Sequence, residues 1–277
     1  KVSTNITYNN LDGMNKRISF KGQVNQRFNL NSLDERRRKE SNSLVEYDLA
    51  TTYGENHIFD SDVDFSASLS TSRRRFFSFD ADIQRINFTF NKTFSSSFSA
   101  SLRPQFETIR QFDATSELDE GTFQIGSLTP GFTLDFRNNR INPTAGSWFN
   151  MSVEVANPAL LSQKTEDLTI DYYKFITRNR FYIPFSGGTA AMSLAAGLEE
   201  NLADADEGYI PNIKVFRLNG VDIVRGFEDD EINRLPNGED ISTERIDEKA
   251  YMAVVKIEPR VFLSDTTMLG VFYDAGR

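Results

Sequence analysis

Apolar and polar residues alternate along most of this chain. Between Ser97 and Thr108 the even positions are Phe98, Ala100, Leu102, Pro104, Phe106 and Thr108, and the odd ones are Ser97, Ser99, Ser101, Arg103, Gln105 and Glu107. In "SDVDFSASLS" Val63, Phe65, Ala67 and Leu69 share one side. In "SWFNMSVEVA" Phe149, Met151, Val153 and Val155 oppose Asn150, Ser152 and Glu154. A period of two marks a strand with one apolar face. Each run lasts about 8–14 residues, longer than the usual globular strand. That length suits a tilted strand crossing a bilayer, which needs ~9–11 residues.

About a dozen segments pass this test, near 2–9, 14–30, 43–56, 61–72, 76–90, 94–110, 122–137, 147–157, 167–184, 188–200, 250–263 and 267–276. Turn-forming stretches separate them: "NNLDG", "NPTAG", "FSGGT" and "LSDTT". One segment changes parity. Phe77, Phe79, Ala81 and Ile83 are odd, whereas Ile86, Phe88 and Phe90 are even. A bulge near Arg85 is the expected cause. Two connections are long and charged: a hairpin tip at Asn31–Ser43 and the largest non-strand stretch, Asn201–Lys249. Connections of that size are functional or disordered.

A soluble β-sandwich would alternate too. Long strands, turns that are short on one side and long on the other, and a polar face of Ser, Thr, Asn and small acids favour a membrane barrel. The longest mostly apolar run, Thr189–Leu198, is far short of the ~20 residues of a transmembrane helix. A mean hydropathy below zero does not oppose a barrel, because only alternate residues meet lipid. The first residues carry no signal-peptide core, and the pattern is already running at the start, as expected of a fragment.

Composition narrows the chemistry. There is no Cys, so no disulfide framework or thiolate metal site, and one His, His57, which leaves little room for a His-based triad. A net charge of −9 argues against nucleic acid as the partner. The acidic clusters Asp204–Gly208 and Glu228–Glu231 could attract Ca²⁺, but their spacing is not that of a full EF-hand, and a solvated loop is the simpler reading. No cofactor and no catalytic residue is expected. The Asn-X-Thr triplets at Asn5, Asn87 and Asn91 sit in strands and are discounted as glycosylation sites. Trp148, Tyr172, Tyr173, Phe181 and Tyr182 are expected in interfacial aromatic girdles.

The last two strands carry acids on their less apolar face. Met252, Val254, Lys256, Glu258 and Arg260 alternate with Tyr251, Ala253, Val255 and Ile257; Phe272, Asp274 and Gly276 alternate with Val271, Tyr273 and Ala275. Glu258 and Asp274 therefore point inward from neighbouring strands. The preceding loop holds "NGVDIVRGFEDDE", Asn219–Glu231, with Arg225 beside Gly226 and Phe227. A guanidinium can serve two carboxylates at once, so Arg225 can fold inward to pair with both. An ordinary solvated Arg at a turn fits the residues as well. Asp135 and Arg137 also share a face and can form an inward ion pair.

"VRGF" (Val224–Phe227), "VFYDAGR" (Val271–Arg277) and "LDFRNNRINPTAGSWFNMSVEV" (Leu134–Val155) together resemble the outer-membrane assembly and two-partner secretion transporter superfamily, from about Gly126 onward. BamA and TamA are its best-known members. The resemblance implies an all-β, antiparallel transmembrane barrel of sixteen strands. About twelve are expected here, roughly the second to the thirteenth, with the POTRA domains and the final strands outside the chain. It implies a loop at about 201–249 tucked into the lumen, and a latch of Arg225, Gly226, Phe227, Glu258, Asp274 and Gly276. No family role attaches to Ile232–Lys249. The function implied is insertion of outer-membrane β-barrel proteins, without bond chemistry, in the outer membrane of a Gram-negative bacterium. The implied partners are unfolded barrel clients, the lipid bilayer with lipopolysaccharide, and accessory lipoproteins. The alternative is a two-partner secretion pore.

Overall fold

A computed structural model describes residues 2–26, 45–76, 79–114, 120–204, 208–216, 249–264 and 267–276. The strands are β1 (Val2–Leu11), β2 (Lys16–Gln26), β3 (Val45–Glu55), β4 (Val63–Arg75), β5 (Asp80–Ser95), β6 (Phe98–Phe112) and β7 (Gly121–Asp135). They continue with β8 (Gly146–Ala156), β9 (Tyr172–Phe185), β10 (Gly188–Asn201), β11 (Lys249–Phe262), β12 (Met268–Gly270) and β13 (Tyr273–Gly276). All lie in one sheet in which sequence neighbours pair antiparallel. Both β12 and β13 pair with β11, so they are two halves of one interrupted stave, and the sheet has the expected dozen staves. Among the described residues no helix is long and apolar enough to cross a membrane.

The connections alternate between two ends, and the three longest share one of them. One end carries 12–15, 56–62, 96–97, 136–145, 186–187 and 263–267; the other carries 27–44, 76–79, 113–120, 157–171 and 202–248. This is the asymmetry of membrane barrels, which turn tightly at one rim and loop widely at the other. The ends are called here the short-turn end and the long-loop end.

Alternation governs the wall. Leu69, Ile86, Phe88, Phe132 and Ile183 are large apolar side chains exposed on the outer face. Such a band is costly in water and favourable in lipid. The inner face of β3 and β4 is small and polar, with Thr52 Oγ1 bonded to Ser68 Oγ at 3.1 Å.

The parity change in β5 has a different cause from the bulge expected near Arg85. Arg85 lies opposite Ser70 on one side and Glu107 on the other, and the register is continuous through it on both. The shifts occur instead between Asn9 and Leu11 and between Thr93 and Ser95. What changes is the face that is apolar. Ile86 and Phe88 point out, whereas Phe79, Ala81 and Ile83 point in and are buried with Ile109, Phe123 and Ile125. The long-loop end of the lumen therefore has its own hydrophobic core. The connection 157–171 and the segment 208–216 complete it through Ile170, Tyr209 and Ile210, with Ile213 and Val215 packed against it.

Candidate functional site: the loop seated in the lumen

The connection after β10 turns into the barrel at once. Gly208 closes a turn onto Asp204 by a backbone bond of 2.7 Å, and the Tyr209 amide donates to the Thr169 carbonyl. The Tyr209 ring stacks on Phe123, with centroids 4.9 Å apart. Pro211 then starts a short 3-10 turn, Asn212–Lys214, and the Ile213 amide donates to Gln111 Oε1 on the inner face of β6.

Lys214 is the centre of the seat. Its ammonium pairs with Glu107 of β6 and, at 3.2 Å, with Glu154 of β8. Glu107 also faces Arg85 at 2.9 Å, and Tyr172 donates to Glu154. Lys174 lies directly opposite Glu154 on one side and Glu199 on the other, with its ammonium 3.5 Å from Glu199. The same ammonium donates to the Lys214 carbonyl and sits 4.3 Å from the centre of the Phe216 ring. The loop grips the wall with the Lys214 side chain, and the wall grips the loop backbone with Lys174.

The charges balance. Arg85, Lys174 and Lys214 face Glu107, Glu154 and Glu199, and the Glu107 and Glu199 side chains are fully buried. Buried charges persist only when paired. Burial alone would lower the Lys214 pKa, but the nearby Glu154 and Glu107 carboxylates outweigh it and raise it above the ordinary lysine value. Lys214 is thus a fixed cation at neutral pH.

Phe216 needs a gap in the wall. A Cβ on Gly197 of β10 would fall 2.4 Å from its ring. Only glycine leaves that saddle open.

At the short-turn end, the segment after β7 folds as a self-bonded plate. Asp135 receives Arg137 through two parallel bonds of 2.8 Å, Nε to Oδ1 and Nη2 to Oδ2, and Arg140 approaches at 3.4 Å. Asn138 Oδ1 accepts the Thr144 and Ala145 amides, and Asn139 Oδ1 accepts those of Ile141 and Asn142. Gly146 has φ 101°, and a Cβ there would lie 2.2 Å from the Phe136 carbonyl oxygen. Asp135 lies opposite Trp148, whose ring carries the Arg180 guanidinium at 5.1 Å.

The aromatic girdle expected from the sequence is only half present. Tyr173 and Phe181 are on the outer face, Phe181 meeting Phe149 edge-on. Trp148, Tyr172 and Tyr182 alternate with them and point inward; Tyr172 is fully buried. Their polar atoms and rings serve luminal charges, the other setting in which an amphipathic aromatic is stable.

Glu258 and Asp274 lie on the inner faces of neighbouring strands. Asp274 is opposite Lys256, two residues from Glu258 on the same face of β11, and Glu258 bonds Arg260 at 2.8 Å. Gly276 is opposite Val254. Arg225, Gly226 and Phe227 lie outside the described residues, as do Glu228–Glu231 and most of Ile232–Lys249. His57 stands in a left-handed conformation in a connection at the short-turn end.

Lys214, Glu107, Glu154, Lys174 and Phe216 were not singled out by the sequence reading. The available signal was a charge on the inward parity of β6, β8, β9 and β10.

Against known proteins, the Omp85 superfamily domain model matches residues 10–277. No curated protein matches. Among solved structures, BamA from Haemophilus ducreyi lacking POTRA domains 1–3 is similar, with a TM-score of 0.71 and 15% identity. The similarity covers 99% of this chain and 54% of that one, so the chain spans about half the length of the structure it resembles.

Proposed function

Because the chain belongs to the Omp85 superfamily, we propose that it is the barrel of an insertase that helps other β-barrel proteins fold into the outer membrane of a Gram-negative bacterium. The observation that carries this reading is the seat of residues 209–216: a loop clasped to the inner wall by Lys214 and backed by a hydrophobic core fills the long-loop end of the lumen. A loop anchored to the inner wall by paired charges supports work done at the wall over transport through the bore.

The work itself is physical. An unfolded strand in lipid carries backbone N–H and C=O groups without partners, each costly. A barrel that offers strand pairing lowers that cost by β-augmentation, and local thinning of the bilayer lowers it further. No covalent step is involved. The short-turn end faces the periplasm, where clients and accessory lipoproteins arrive, and the long-loop end faces the lipopolysaccharide leaflet. A second attachment of the same loop is part of this proposal, an ion pair of Arg225 with Glu258 and Asp274, which alternation sets on the inner face.

The test uses the full-length protein in vesicles. It should speed the folding of an unfolded outer-membrane barrel, read as the gel shift between heated and unheated samples. Its conductance in a planar bilayer should be small and intermittent. A large stable pore without any acceleration of client folding would replace the insertase with a secretion pore.

A further inference from the structure

The connection between β8 and β9 contains a small finger that lies outside the barrel. The β7–β8 ladder runs to Ser127 opposite Ala156, after which Asn157–Leu161 loops away. The ladder then resumes with a substitute strand: the Gln163 amide donates to the Gln124 carbonyl, and Ser162 Oγ serves both the amide and the carbonyl of Gly126.

The side of the wall on which the finger lies follows from Gly126. On β7 the odd residues Phe123, Ile125 and Ser127 are buried toward the lumen, and even Phe132 is exposed on the outer face. Gly126 is even. A Cβ built on it would point outward and meet the Leu160 carbonyl oxygen at 1.7 Å. The backbone of the finger is therefore pressed against the outer surface, just beyond Leu128 and Val155 at the upper edge of the apolar belt.

The finger is stiff, and it presents leucines. Asn157 Oδ1 accepts the Ala159 amide at 2.9 Å, Asn157 Nδ2 donates to Asp171 at 2.8 Å, and the Leu161 amide closes on the Pro158 carbonyl. Leu161 has φ 73°, a left-handed conformation that a leucine seldom adopts. Leu161 is 72% exposed, and Leu160 beside it is exposed to a lesser degree. A strained backbone held by several bonds, with an apolar side chain turned out next to a lipid-facing belt, is costly in water. The apolar part of that cost disappears if the side chain enters hydrocarbon.

We propose that Asn157–Leu161 is a membrane-dipping finger, which buries Leu160 and Leu161 among the acyl chains of the leaflet at the long-loop end. Its partner is lipid hydrocarbon, reached by extension of the barrel's outer belt. The proposal rests on the barrel being embedded in a membrane and is independent of the insertase reading.

The chain has no cysteine, so a label placed in it has no competitor there, and any cysteine elsewhere in the full-length protein is first replaced by serine. Leu161→Cys, Leu69→Cys and Glu166→Cys would each carry an environment-sensitive fluorophore, in the full-length protein reconstituted into phosphatidylcholine vesicles with or without spin-labelled lipid. Leu69 is on the outer belt; Glu166 is exposed on the same connection as Leu161. The label at 161 should lose as much fluorescence to the lipid quencher as the label at 69, and the label at 166 should lose none. A label at 161 that behaves like the one at 166 overturns the finger. An unquenched label at 69 would instead overturn the embedding on which it rests.

Discussion

Replacing Lys214 by Met tests the seated loop most directly. Methionine keeps an unbranched apolar stem and removes only the charge. In the wild type three cations balance three carboxylates. In Lys214→Met, Glu107 keeps Arg85 and Glu199 keeps Lys174, but Glu154 loses its ammonium partner while its surroundings stay buried. Removing one partner from a buried ion pair costs about 3–5 kcal/mol. The lower figure applies, because the Tyr172 hydroxyl still bonds Glu154. About 3 kcal/mol is more than a hundredfold in the equilibrium for unseating the loop. Hydrogen exchange read by mass spectrometry on residues 209–216 should speed up by that factor, and chymotrypsin should cut at Tyr209 or Phe216 where it did not before. Adding Glu154→Gln restores the charge balance and should recover most of the protection. Unchanged exchange in Lys214→Met would refute the clasp, and an equally loose double variant would refute the charge argument behind it.

Four other outcomes follow from the same geometry. Gly197→Val should expel Phe216 from its saddle and expose the loop to protease without preventing strand pairing, as read by circular dichroism. Gly146→Ala adds a side chain at φ 101° against the Phe136 carbonyl; it should lower stability by on the order of 1–3 kcal/mol, measured by urea unfolding in detergent. Arg225→Ala should leave the barrel assembled but reduce client insertion and increase cleavage between 217 and 248; wild-type activity and protection together would remove that latch. Lys214 has a raised pKa, so its contribution is full below the ordinary lysine value and is lost only as pH rises through the higher, folded one. Loop exchange corrected for its intrinsic rate should rise above about pH 10 in the wild type, and a Lys214→Met protein that shows the same rise would count against the assignment.

The wall was legible because one physical rule, lipid outside and water inside, imprints a period of two on nearly every segment. That rule also explains the misses. It assumes a wet lumen, so Phe79, Ala81 and Ile83 looked like a slipped strand when they are the floor of an internal core. It assigns aromatics to the interface, so Trp148 and Tyr172 were expected outside, although the parity of their own strands already set Trp148 with Asn150 and Glu154, and Tyr172 with Lys174. The acids Glu258 and Asp274 could be placed inward because each sits on a clear strand. Lys214 could not be found that way: it lies in a connection, where no periodicity tells which way a side chain turns, and its partners come from β6 and β8, far away in sequence. The bonds within Asp135–Gly146 were hidden for a related reason, since a turn is specified by side-chain-to-backbone bonds that leave no repeating pattern.

The internal core braces only part of the circumference. Strands β5 to β10 lean on packed side chains and ion pairs, whereas the inward faces of β3 and β4 hold mostly serine, threonine and alanine and add no side chain to that core. A cylinder reinforced along one flank does not deform evenly. Squeezed or heated, it ovalises toward its thin side, so the earliest strands take up the distortion while the loop-bearing flank moves as a rigid plank.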